Sequence, residues 1–75
     1  MRRHEIYPVI VDAFRGNSLG SAGAEIPSAA YYQLRSYTSE GTKIICHAPD
    51  FQTATRIKEA LIVTDHLQQV RLFLP

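Results

Sequence analysis

The residues with the chemistry to act as a nucleophile and its base are Cys46 beside His47, with His4 and His66 elsewhere in the chain. If residues 42–48 form a strand, Cys46 and His47 point to opposite faces and cannot share a proton. A small thiol between apolar neighbours then reads as a buried core residue. A metal site would have to draw on His4, Cys46, His47, Asp65 and His66, but the chain has no CxxC and no histidine pair at helical spacing. Neither a metal nor any other cofactor is expected. Asp65-His66 is read as a solvated pair just past a helix, where a histidine meets the negative end of the helix dipole. The acidic residues Glu5, Asp12, Glu25, Glu40, Asp50, Glu59 and Asp65 are scattered, with no spacing that argues for shared acid–base work. Catalysis is therefore not expected.

Two other groups of residues could bind rather than react. Gly16, Asn17, Ser18, Gly20 and Ser21 follow an apolar run, as phosphate-binding loops do. They lack the GxGxxG order and the Lys-Ser/Thr ending of a P-loop. They form a candidate anion site only through backbone amides, and a flexible connector is the simpler reading. The second group is Tyr31, Tyr32, Arg35 and Tyr37. On a strand, Tyr31, Gln33, Arg35 and Tyr37 line one face, where tyrosine and arginine suit a protein interface or stack on unpaired bases.

The elements that would position these residues follow from periodicity. Ile6 to Phe14 is rich in Val and Ile and reads as a strand, with Pro8 suggesting an edge or a strand start. Residues 15–27, with Gly16, Gly20 and Gly23, read as a flexible Gly/Ser loop. Residues 42–48 read as a strand. Pro49-Asp50 then marks a helix start with Asp50 as its cap. Phe51, Ala54, Ile57 and Leu61 share one face of a helix running to about Val63. Residues 69–74 read as a closing strand. Residues 28–40 are open to two readings. Strand formers at Tyr31, Tyr32 and Tyr37 favour a hairpin into Thr42, while Ala30, Leu34 and Tyr37 also fit helical spacing.

The expected fold is therefore α+β: a small two-layer domain with an antiparallel-rich sheet, one main helix and the order βββαβ. The alternative is a compact βαβαβ unit with residues 28–40 helical. In the strands as drawn, Ile44, Cys46 and Ala48 share one face and Lys43, Ile45 and His47 the other. Apolar residues thus fall on both faces, a pattern of strands covered twice. With only one helix, the hairpin reading leaves an apolar sheet face near Ile45 and Phe73 for another subunit or a partner.

Length and composition bound the rest. Seventy-five residues make one domain, 45% apolar and 20% charged, with a net charge of +1 and its basic residues dispersed. That balance gives no electrostatic case for nucleic acid or an anionic membrane. No apolar stretch approaches the ~20 residues of a membrane span. Glu5, Pro8 and Asp12 interrupt what would otherwise look like a signal sequence. A single cysteine, Cys46, forbids an internal disulfide and suits a reducing, cytoplasmic setting. A domain this small has little core to spare, so a homo-oligomer is expected.

The run from Lys43 to Asp50, leading into Ala54 to Leu61, resembles the hairpin–helix–strand plan of small phage and mobile-element inhibitors, anti-CRISPR proteins among them. The resemblance is one of architecture over the last half of the chain, without a diagnostic motif. It implies a non-catalytic module that occludes a larger protein, with Tyr31, Arg35, Tyr37, Ile45 and Phe73 as the partner-binding residues. A single-stranded nucleic-acid binder using the Tyr/Arg strand is one alternative. A small-ligand-binding oligomer using the Gly16–Gly23 segment is the other.

Overall fold

Residues 28–40 contain a strand, not a helix, and that settles the architecture. The computed structural model describes residues 2–73, with side chains through residue 68. Its elements are β1 (Arg3–Asp12), β2 (Gly16–Leu19), β3 (Tyr31–Thr38), β4 (Gly41–Ala48) and α1 (Phe51–Phe73). The strands form one antiparallel sheet in the order β2-β1-β3-β4. The helix packs on one face of it, giving a two-layer α+β domain.

Two elements differ from the sequence reading. Within residues 15–27 lies a fourth strand, β2, paired with β1 through Val9↔Leu19 to Asp12↔Gly16. The signal was a three-residue hairpin loop. Asp12 Oδ1 accepts from the amides of Phe14 and Arg15 at 2.8 and 3.1 Å, and Gly16 takes the positive φ that closes such a turn. Beyond Leu19 the chain stays on the β1 edge, where the Gly20 and Gly23 amides donate to the carbonyls of Pro8 and Ile6. The segment is therefore anchored rather than a plain connector. Pro8 sits mid-strand because its missing N–H faces the side on which β2 has already ended. A side chain at Gly20 would put its Cβ 2.6 Å from the Pro8 ring.

The second difference is at the other end. Residues 69–73 continue α1 rather than forming a closing strand, and Leu74 lies outside the described residues. No Gly or Pro falls between Gln52 and Phe73 to end the helix. The hairpin–helix–strand plan therefore becomes hairpin–helix, the strand count being made up by β2.

The core explains the register. Ile6, Tyr32, Leu34, Ala48 and Ala54 are buried, with Phe51, Ile57, Leu61 and Cys46 packed around them. Asp50 caps α1, its Oδ1 accepting from the Thr53 amide at 2.7 Å. Phe51 meets the Tyr32 ring edge-on at a centroid separation of 5.5 Å. From there the stripe Phe51, Ala54, Ile57, Leu61 crosses the sheet and ends with Asp65 against the start of β1. A helix of 23 residues is about 34 Å long, longer than the sheet beneath it. The radius of gyration is 14.5 Å, against about 11 Å for a compact chain of this length. Past the sheet, Leu67 is exposed, as are Ile62 and Val63 on the turns before it.

One irregularity reassigns faces. Leu34 pairs with Cys46 but Arg35 pairs with Ile44, so Ile45 is an extra residue in β4. This β-bulge breaks the alternation that strand parity predicts. Ile44 joins the open face beside Arg35. Ile45 lines a concavity with Ser36 and Lys43.

Candidate functional site

With α1 on one face, no element among the described residues packs on the opposite face of the sheet, and the register lays its residues out in rows. Leu19, Val9 and Tyr31 form the first; Tyr7, Gln33 and His47 the second; Glu5, Arg35 and Ile44 the third; Arg3, Tyr37 and Thr42 the fourth. Of the expected partner-binding residues, Tyr31, Arg35 and Tyr37 lie together here. Ile45 is the bulged residue without a ladder partner, and Ile44 is the residue that stands across from Arg35. Phe73 belongs to α1, and its side chain lies outside the described residues.

The open face is also less apolar than strand parity implied, because its centre is filled by polar groups that satisfy one another. The Tyr7 and Tyr37 hydroxyls share a hydrogen bond. The Arg3 guanidinium lies over the Tyr37 ring at 4.7 Å and that of Arg35 over the Tyr7 ring at 5.4 Å. Arg35 Nε donates to Gln33 Oε1 at 2.5 Å, and the Gln33 amide donates to His47 Nε2 at 3.1 Å. The His47 ring in turn packs on Tyr31 at 4.9 Å. Arg3 is 3.4 Å from Glu5. The hydrogen bond from Tyr37, then burial and the nearby Tyr37 charge, raise the pKa of Tyr7 above its ordinary value. Ile44, half exposed, is the large aliphatic residue at the β4 end of this network.

A second constellation lies on the helix side, where the sequence reading found no shared acid–base work. His4 is buried between sheet and helix. Its Nδ1 is 2.5 Å from Ser36 Oγ on β3 and its Nε2 is 2.7 Å from Asp65 Oδ2 on α1. Arg2 reaches Asp65 Oδ1 at 3.4 Å. An ionised carboxylate only accepts, so Nε2 carries the proton toward Asp65, and in the neutral ring Nδ1 accepts from the Ser36 hydroxyl. Asp65 is thus not a solvated helix-end residue: it continues the inward stripe one turn past Leu61, while His66 is exposed. The available signal was a polar residue at i+4 on an apolar stripe, together with His4 in phase with Ile6. A buried polar residue needs a partner, and these two supply each other.

The remaining candidates stay apart. Cys46 packs half-buried against the core and His47 faces the other way, as parity requires. Gly16, Asn17 and Ser18 lie along edge strand β2, and the Gly20 amide is taken by Pro8, so with Ser21 they do not wrap around a common point. Among the described residues, no three His, Cys, Asp or Glu side chains gather to hold a metal. Among those residues, too, no helix is long and apolar enough to cross a membrane. Comparison with known proteins finds no match for this chain among family models, curated proteins or solved structures.

Proposed function

We propose that this protein is a binding module that acts by covering a surface of a larger protein with its open sheet face. The observation that carries this reading is the pre-ordered Tyr/Arg network on that face. Tyrosine and arginine are the residues that most often anchor protein interfaces, and here their side chains are already fixed by mutual contacts. Fixing them before binding removes much of the entropy cost of ordering them at an interface. The half-exposed Ile44 beside Arg35 supplies an apolar contact. The same geometry weighs against the nucleic-acid alternative. Bases would have to stack on Tyr31 and Tyr37, but His47 already packs on the Tyr31 ring and Arg3 already covers the Tyr37 ring.

The test is affinity capture from the source organism with three forms of the chain. The expected result is one protein captured by the wild type and by Arg56→Ala, on the outer side of α1, but lost with Ile44→Asp. Equal capture by all three overturns the choice of surface. Binding of a labelled single-stranded oligonucleotide that weakens steeply with salt favours the alternative. Self-association belongs to the same proposal, since Ile62, Val63 and Leu67 are exposed on α1. A monomer by light scattering at micromolar concentration removes that part.

A further inference from the structure

The His4 network has the connectivity of a nucleophile, a base and an orienting carboxylate, supplied by β3, β1 and α1. We propose that Ser36, His4 and Asp65 form an acyl-transfer site for a small ester that carries a negative charge. Such triads are recognised by geometry and role rather than by order along the chain. Three observations support the assignment here. The first is the pair of short contacts on the two nitrogens of one ring, 2.5 Å to Ser36 Oγ and 2.7 Å to Asp65 Oδ2. These aim the Ser36 hydroxyl proton at Nδ1, the nitrogen able to take it. The second is access. Ser36, only 4% exposed, lines a concavity of about 640 Å³ open to solvent beneath the β3–β4 turn, while His4 lies behind it, buried and outside the lining. That volume is in the range of small-molecule sites. The third is charge. Lys43 stands directly across from Ser36 in the ladder and lines the concavity with Arg2, which also reaches Asp65 at 3.4 Å, and with one carboxylate, Glu40, so the cations outnumber the anion on its wall. Lys43 and Arg2 supply cations for the developing oxyanion and for an anionic substituent of the substrate.

In the reaction, Ser36 Oγ attacks the ester carbonyl carbon as its proton passes to His4 Nδ1. The tetrahedral intermediate collapses with cleavage of the bond to the alcohol oxygen, which leaves with the proton from Nδ1. Water then attacks the acyl-Ser36 carbonyl, giving a proton to Nδ1. Collapse of that intermediate releases the carboxylic acid and returns the proton to Ser36 Oγ. The balance is ester plus water to acid plus alcohol, with no oxidant, reductant or metal. Ser36 and His4 are the catalytic residues. Asp65 is a positioning residue, acting through the ring it holds. This site lies on the helix side, away from the open sheet face, so it stands or falls independently of the binding module.

The experiment treats the folded full-length chain with a fluorophosphonate, which reads the first half-reaction alone, and maps the adduct by mass spectrometry. The expected result is a single phosphonyl adduct on Ser36 that is absent from urea-unfolded protein. No adduct on Ser36 in the folded chain, or equal labelling after unfolding, overturns the proposal. Ester turnover is the second readout. Mono-p-nitrophenyl succinate is expected to react faster than uncharged p-nitrophenyl propionate, a preference of about tenfold that Lys43→Gln, an exposed substitution, removes. Equal rates for the two esters overturn the anionic substrate class. Asp65→Asn is expected to lower kcat about a hundredfold with KM little changed, which loss of folded protein alone does not do to the rate per folded molecule. An unchanged kcat per folded molecule overturns the role of Asp65.

Discussion

Asp65 holds His4 across 61 positions of sequence, 2.7 Å from its Nε2, and this contact marks where α1 leaves the sheet. The helix residues packed on the core before it, Phe51, Ala54, Ile57 and Leu61, are apolar, and His66, Leu67 and Gln68 after it are exposed. Among the described side chains, Asp65 is therefore the last on the helix to reach the sheet. Replacing Asp65 with Ala leaves a buried ring N–H without its acceptor, at a cost of about 1–3 kcal/mol. The urea midpoint is expected to fall with the cooperative slope unchanged. A midpoint within error of the wild type means that the contact does not hold the helix.

Among the described residues, Leu34 is the one large aliphatic side chain with no exposure, lying mid-β3 beneath the helix. Leu34→Ala is expected to cost about 2–5 kcal/mol through lost burial and an unfilled cavity. Ile62→Ala, on an exposed stretch of the helix, is expected to stay within about 0.5 kcal/mol of the wild type. Chemical denaturation of the two variants side by side checks the assignment of core and surface. Similar losses in both mean that Ile62 is covered in solution, as self-association predicts.

These two positions also show how far the sequence was readable. The stripe Phe51, Ala54, Ile57, Leu61 follows from helical periodicity, and the structure places it so, whereas Leu34, which entered only at a helical spacing, is buried on strand β3. Strand parity put Tyr31, Arg35 and Tyr37 on one face, where they are found. It failed at Ile44 and Ile45, because one bulged residue inverts the parity of everything on its far side and nothing in Lys43-Ile44-Ile45-Cys46 announces it. Residues 16–19 were hidden for a different reason. Gly-Asn-Ser-Leu has weak strand propensity and is held in β2 by the turn at Asp12 and by pairing to β1. His4 and Asp65 each carry a local signal, a polar residue in phase with an apolar stripe, but their meeting with Ser36 depends on tertiary packing that no local pattern encodes.

The cap at Asp50 gives stability an acid limb. The Thr53 amide, donating to the carboxylate, holds the Asp50 pKa below the ordinary carboxylate range. A carboxylate with a depressed folded pKa contributes stability that is present above the unfolded value, about 3.9, and lost as pH falls through the folded one. Asp50→Asn keeps a capping acceptor but removes the titration. The drop in urea midpoint between about pH 6 and about pH 2.5 is expected to be larger for the wild type than for this variant. Equal drops remove the cap from the account of acid unfolding.

The open face has its own titration, at the alkaline end. Tyr7 is raised first by the hydrogen bond with Tyr37, then by burial and by repulsion from an ionised Tyr37. A phenol with a raised folded pKa adds stability that is full below the unfolded value of about 10 and is lost as pH rises through the folded value. Tyr37→Phe deletes the first and third causes together while keeping a ring for the Arg3 guanidinium to cover. Absorbance at 295 nm across an alkaline titration therefore reads the network directly. The wild type is expected to show one tyrosine ionising after the others, and Tyr37→Phe to bring that step back toward them. If the late step persists in Tyr37→Phe, the two hydroxyls do not hold each other, and the open face is a looser surface than a pre-ordered interface requires.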